Sequence, residues 1–242
     1  MKNSFIWTDL SSYDPLKSIE FYQTTFDWEI VEEEQYYVAY KDGLEVVGLY
    51  ETPSFFKKIK MPHFWMNYIQ VEDLATIVKQ VRKLGGKVEI EKAAFYGGYI
   101  ALIRDPMGAG FTLYQGEKLY QRSSNSHGAV IHRELHTSDA NLVIPFYQEL
   151  FHWTFIQSGG EGKYDIYTNN HLKIASLLGI DNALKGKYEY WVTTFGVTDL
   201  SATKDKVLLL GGTEISNEGN RILCADYSGE AFFYVEEISV WT

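Results

Sequence analysis

Residues 5–28, FIWTDLSSYDPLKSIEFYQTTFDW, return as VIHRELHTSDANLVIPFYQELFHW at residues 130–153, and this recurrence decides the fold. Sliding the chain on itself by 125 positions lays Phe5 to Ile30 over Val130 to Phe155 with nine identities. They are Ile6/Ile131, Leu10/Leu135, Asp14/Asp139, Ile19/Ile144, Phe21/Phe146, Tyr22/Tyr147, Gln23/Gln148, Phe26/Phe151 and Trp28/Trp153. Composition alone gives roughly one or two such matches. An offset of 126 then aligns Trp65/Trp191, Val71/Val197, Asp73/Asp199 and Leu74/Leu200, and an offset of 121 lays Asp105, Gly108 and Phe111 on Asp226, Gly229 and Phe232. The chain is a tandem duplication. Its seam falls in the polar run from Gln121 to His127, which has linker composition, so the expected domains are residues 1–120 and 128–242 joined by a linker at 121–127.

Each half reads as two smaller units, because Asp14 and Asp73 both close an apolar strand-like run and open a helical pattern. In the first unit Phe5 to Leu10 predicts a strand. Asp14 is a natural N-cap with Pro15 at the first helical position, and Leu16, Ile19, Phe21, Tyr22 and Phe26 line one helical face. Short strands follow near Trp28–Val31, Tyr36–Tyr40 and Val46–Tyr50, separated by polar or Asp-Gly turns. The second unit repeats the order, with a strand at Phe64–Val71, a helix from Asp73 to Gly85-Gly86, and strands near Lys87–Ile90, Tyr99–Ile103 and Gly110–Tyr114. The prediction is an α+β fold of four βαβββ modules. Pro145 would cost a backbone bond inside a helix capped by Asp139, which places the expected start of that helix later, at Asn141.

With 45% hydrophobic residues the chain has ample material for a core, and a net charge of −10 without a basic run disfavours phosphate backbones and anionic membranes. A lone cysteine, Cys224, excludes an intrachain disulfide and fits a reducing compartment; no signal-peptide core or spanning stretch is evident, so the expected location is cytoplasmic. Cys224 itself reads as a buried strand residue, and Lys57, Lys58 and Lys60 as a solvated loop.

Four such modules, with Asp-Pro, Phe-Tyr and Phe-x-Trp after the first strand and Asp105-Pro106-Met107-Gly108-Ala109-Gly110-Phe111 before the last, resemble the vicinal-oxygen-chelate superfamily of glyoxalases, bleomycin-resistance proteins and extradiol dioxygenases. The likeness is greatest to two-domain, glyoxalase-like members in which Trp-x-Asp/Glu-Leu precedes Asp-Pro, here Trp7-Thr8-Asp9-Leu10 and His132-Arg133-Glu134-Leu135. The resemblance implies that paired modules form mixed, curved, eight-stranded sheets around a cleft. It also implies that metal-dependent members place His, Glu or Gln ligands on the first and fourth strands of both modules. At those positions the first half carries Trp7, Gly48, Met66 and Thr112, and the second carries His132, Ser176, Val192 and Phe233. Indole, glycine and phenyl offer a hard cation no lone pair, so no metal or other cofactor is expected; a divalent ion at His132 and Glu134 is the alternative.

His132, Glu134 and His136 alternate along one strand and share a face, but His132 and His136 stand about 13 Å apart, too far to join one metal easily. A working His132 beside Glu134 would suit acid–base chemistry near neutral pH. In the first half the same face carries Trp7 and Asp9, opposed by Met66, Tyr68, Thr112 and Tyr114; in the second, Val192, Thr194 and Phe233 are the expected opposing wall. The expected function is binding of an aromatic or amphipathic small molecule without the family metal, by a monomeric pseudo-dimer or a homodimer. A lyase, isomerase or dioxygenase-type enzyme using His132 and Glu134, with or without a divalent metal, is the alternative. Neither nucleic acid nor membrane is an expected partner.

Overall fold

The computed structural model describes residues 2–34, 36–95, 97–117 and 126–238. Four modules of the expected order follow one another. The first comprises β1 (Phe5–Ser12), α1 (Pro15–Phe26), β2 (Glu29–Glu33), β3 (Tyr36–Lys41) and β4 (Leu44–Glu51), and a short helix α2 (Ser54–Lys58) leads out of it. The second comprises β5 (Phe64–Gln70), α3 (Leu74–Lys83), β6 (Lys87–Phe95), β7 (Gly98–Arg104) and β8 (Gly110–Gln115). The third comprises β9 (Val130–Thr137), α4 (Ala140–Phe151), β10 (Thr154–Gln157), β11 (Lys163–Tyr167) and β12 (Lys173–Gly179), followed by a single turn α5 (Asn182–Lys185). The fourth comprises β13 (Tyr190–Val197), α6 (Leu200–Leu209), β14 (Thr213–Asn217), β15 (Arg221–Ala225) and β16 (Phe232–Glu237).

Two eight-stranded mixed sheets result, ordered β2-β3-β4-β1-β5-β8-β7-β6 and β10-β11-β12-β9-β13-β16-β15-β14. In each module the first and last strands pair in parallel, as Asp9 with Gly48 and Glu134 with Ser176, because the intervening helix carries the chain back to the start of the sheet. Of the expected linker, residues 121–125 lie outside the described residues. No helix among the described residues is long and apolar enough to cross a membrane.

The aspartates cap as expected: the side chains of Asp14, Asp73 and Asp199 accept from Lys17 N, Thr76 N and Ala202 N. The third helix corrects the expectation drawn from Pro145. It starts at Ala140, with Asp139 accepting from Asn141 N at 3.0 Å, and runs through the proline. Burial of Val143, Phe146, Tyr147, Leu150 and Phe151 on one face outweighs the lost backbone bond. The residues around Lys57 also differ from the loop expected, forming α2 with Phe56 buried and Phe55 exposed. Cys224 is buried on β15, as expected.

Packing groups the modules differently from the sequence, the second with the third and the first with the fourth. In the first unit α3 and α4 cover a core that includes Ile69, Phe111, Leu135, Trp153 and Trp191; in the other, α1 and α6 cover Leu10, Trp28, Trp65, Phe195 and Phe233. Each core contains the same buried relay. Trp191 Nε1 donates to Tyr147 Oη at 3.0 Å and Tyr147 to Asp105 Oδ2 at 3.1 Å; Trp65 Nε1 donates to Tyr22 Oη at 3.2 Å and Tyr22 to Asp226 Oδ2 at 3.3 Å. These are the residues matched by the repeat, so the identities mark packing rather than a ligand site. Burial pushes Asp105 up to about 6, against three backbone N–H bonds from Met107, Gly108 and Ala109 and the Tyr147 bond, and raises Asp226 as well.

Candidate functional site

Strand pleat sends alternate side chains of β9 to opposite faces of the sheet. Leu135 joins the core beneath the helices, which leaves Glu134 and His136 on the helix-free face, where Ser176 stands beside Glu134 in the parallel register of β12. Glu134 Oε1 lies 2.9 Å from His136 Nε2, and Ser176 Oγ donates to Glu134 Oε2 at 2.9 Å. A carboxylate can only accept, so the imidazole nitrogen facing it, Nε2, carries a proton. His136 is 1% exposed and Glu134 7%, and the Tyr190 ring packs 5.3 Å from the imidazole. Burial, with the Glu189 charge adding to it, pushes Tyr190 up to about 12. Glu189 accepts from Ser138 N and Oγ, both at 2.8 Å, and pairs with buried Lys185 at 2.8 Å; burial opposes its ionisation, but these bonds hold it below its usual range.

The hydrogen bond on Glu134 Oε1 therefore comes from His136, two residues after it, where the sequence pointed to His132, two residues before it; His132 is half-buried on β9. Between them Arg133 turns inward. Its Nε donates to Asn67 Oδ1 at 2.8 Å, its guanidinium lies 5.1 Å from the Phe5 ring centroid, and burial pulls its pKa down to about 9.

The matching carboxylate of the first module is satisfied differently. Asp9 is fully buried and its register partner is Gly48, with no side chain to offer. Tyr36 fills the space: its hydroxyl donates to Asp9 Oδ2 at 3.2 Å, and a Cβ placed on Gly48 would fall 1.7 Å from that hydroxyl. Glycine is required here for room. Tyr50 lies nearly parallel to Tyr36, 6.4 Å between centroids at 14°; burial and the Asp9 charge raise its phenol pKa. Ser11 and Thr52 hydroxyls meet at 2.9 Å alongside.

Among the other expected lining residues, Trp7, Met66, Tyr68, Thr112 and Tyr114 are all buried, with Tyr68 beside Thr112 in the β5–β8 register and stacked 5.6 Å from Phe95. Val192 and Thr194 are fully buried on β13. Phe233 is a correction. It packs in the helix-side core, 5.7 Å from Tyr22 and 6.4 Å from Phe21, and Tyr234 takes the position opposite Thr194. The cause is one extra turn residue. Asp105 N bonds Ala109 O, four residues on, whereas Asp226 N bonds Ala231 O, five residues on. The equivalent of Phe111 is therefore Phe233, and a one-residue slip sends a strand side chain to the opposite face. Counting that turn in the sequence would have found Tyr234; nothing local announces Tyr36, whose role depends on a glycine twelve residues away.

The resemblance implies a divalent metal in some members, but the residues present do not fit one. The family positions carry Trp7, Gly48, Met66 and Thr112 in the first half and His132, Ser176, Val192 and Tyr234 in the second. Among the described residues no three His, Cys, Asp or Glu side chains gather closely enough to hold a metal ion, and both Glu134 oxygens already accept hydrogen bonds.

Residues 5–113 match the model of the Glyoxalase/Bleomycin resistance protein/Dioxygenase superfamily. They form a domain of that superfamily. Over 93% of this chain and 92% of the relative, the sequence is 25% identical to "Putative glyoxylase CFP32" of Mycobacterium tuberculosis. It is 27% identical to the anthracycline biosynthesis protein DauV of a Streptomyces species, over 95% of this chain and 92% of the relative. The superfamily fold extends through both halves. The Mn(II)-bound glyoxalase of Novosphingobium aromaticivorans, 12% identical, superposes with a TM-score of 0.65 over 98% of this chain and 82% of its own.

Proposed function

We propose that this chain is a small-molecule-binding member of the superfamily that works without the divalent metal of its glyoxalase relatives. The observation that carries the reading is that Trp7, Gly48, Met66 and Thr112 stand at the metal-ligand positions of the first half, while in the second half the Glu134, His136 and Ser176 side chains on β9 and β12 bond one another. The helix-free face of the first sheet, with Trp7, Met66, Tyr68 and Tyr114 and the Thr112 hydroxyl, suits an aromatic ligand with a few oxygens. The name of the DauV relative makes a polycyclic hydroxyquinone a reasonable first probe.

A second reading, an enzyme using β9, draws on the Glu134–His136 bond. A carboxylate that fixes the imidazole tautomer and steadies its cation is a common preparation for proton transfer. On that reading His136 takes the part first given to His132.

Both are tested by thermal shift with alizarin, since a ligand of the folded state raises its apparent stability. The expected result is a rise in melting temperature that survives EDTA and shrinks in His136→Ala. One equivalent of zinc, iron, nickel or manganese in the purified protein, with the rise lost on its removal, would overturn the metal-free reading. Turnover of a bound hydroxyquinone, lost in Glu134→Gln, would favour the enzyme.

A further inference from the structure

The first module carries an arrangement that neither the relay nor β9 uses. Asp9, Tyr36, Gly48 and Tyr50 belong to one unit and to three adjacent strands. In register, Val38 lies beside Gly48 and Gly48 beside Asp9, while Tyr36 lies beside Tyr50 one row further along. Tyr36 thus reaches diagonally across the bare backbone of Gly48 to the carboxylate. It does so from the β2–β3 hairpin, where Glu34 sits at φ +60° and Glu32, Glu33 and Glu34 are all exposed. Asp9 is fully buried, whereas Tyr36 is half-buried, so the hydroxyl on the carboxylate belongs to the more solvent-accessible partner.

We propose that the Asp9 wall of the first module is a recognition site for the protonated amine of an aralkylamine, and that Tyr36 occupies the amine's place until the ligand displaces it. Asp9 supplies the counter-charge and Tyr50 an aromatic face, a combination that attracts organic cations. The exposed glutamates of the hairpin and the overall charge of −10 concentrate cations at this surface. An ammonium replaces the neutral hydroxyl of Tyr36 with a full positive charge, adding ion-pair attraction to the hydrogen bond. Gly48 leaves the space in which the exchange takes place. Because Tyr36 competes with the ligand, the apparent affinity is reduced by the fraction of molecules with Tyr36 in place.

The test is calorimetric titration with phenethylammonium and its neutral match, phenethyl alcohol. Wild type should bind the ammonium more tightly than the alcohol. Tyr36→Phe keeps the ring and removes the bond to Asp9, so it should bind the ammonium about tenfold more tightly than wild type, the equivalent of one hydrogen bond. Asp9→Asn, with its fold checked by circular dichroism, should lose the preference for the charged ligand. Should that variant fail to fold, Tyr36→Phe serves instead, and removal of the competing hydroxyl should strengthen ammonium binding more than alcohol binding. Equal binding of ammonium and alcohol by both wild type and Tyr36→Phe would overturn the proposal, as would a preference that survives in folded Asp9→Asn or a Tyr36→Phe gain equal for the two ligands. The β9 reading is tested through His136→Ala with alizarin and this one through Tyr36 and Asp9 with phenethylammonium, so either can fail alone.

Discussion

Asp9 and Glu134 occupy one position of a duplicated strand, and the two modules satisfy their carboxylates in opposite ways. In the third module the partners are near in sequence and register: buried His136 two residues on and half-buried Ser176 directly across, both hydrogen-bonded to the carboxylate. In the first module the place of Ser176 is taken by Gly48, the place of His136 by Ser11, and Tyr36 comes in from a hairpin. One carboxylate is bonded by its own strand and its neighbour; the other accepts from a half-buried tyrosine of a hairpin two strands away. Duplication preserved the charge, while divergence of the surrounding volume changed what the charge can do.

The largest effect should come from removing the carboxylate of the third module. Glu134→Ala removes the charged acceptor of both the buried imidazole and the Ser176 hydroxyl and should cost about 3–5 kcal/mol in urea unfolding, as two hydrogen bonds to a charged group do. Asp9→Ala should cost less, since Tyr36 can turn its hydroxyl to water; equal losses would mean the two sites are equally rigid.

The relay shared by both units gives a pH prediction. Burial holds Asp105 up to about 6 against an ordinary value of 3.8, so the folded state binds that proton more tightly than the unfolded chain. The penalty for ionising it is absent below about pH 4 and complete above about pH 6, so this group's contribution to stability falls as pH rises through that window. Asp105→Asn has no such proton, and the stability difference between variant and wild type should move about 3 kcal/mol in the variant's favour across it. Parallel pH profiles would show that Asp105 ionises without penalty.

Gly48→Ser places on the first module the side chain that the third one uses. With Tyr36 in the way it should destabilise by about 1–3 kcal/mol, as overpacking does. Adding Tyr36→Ala should recover most of that loss, and strict additivity would separate the two residues. The smallest change is Ser176→Ala, which removes one hydrogen bond to Glu134 and should cost about 1 kcal/mol.

The aspartate caps, the βαβββ order and the core-facing Phe, Tyr and Trp of the repeat were legible because each depends on spacing within a few residues, where pleat and helical period act directly. Glu134 and Asp9 were legible as inward carboxylates for the same reason. Their partners were not. His136 and His132 flank Glu134 at equal spacing, and periodicity alone cannot choose between them. Phe233 was assigned to the wrong face because one extra residue between Asp226 and Ala231 shifts β16 by a full alternation, and only the hydrogen-bond register reveals it. Helix α4 ran through Pro145 because burial of its apolar face exceeded one lost bond.

By itself the sequence determined that the chain is a doubled array of four modules, which residues cap its helices and which strand positions carry inward charges, since these follow from local sterics repeated at fixed offsets. The tertiary structure alone decided that the second module packs with the third and the first with the fourth, and that Tyr36 closes over Gly48 while Ser176 and His136 close over Glu134. Those outcomes depend on which side chains fill the space left by residues distant in the chain, and volume is complementary only once the strands are in register.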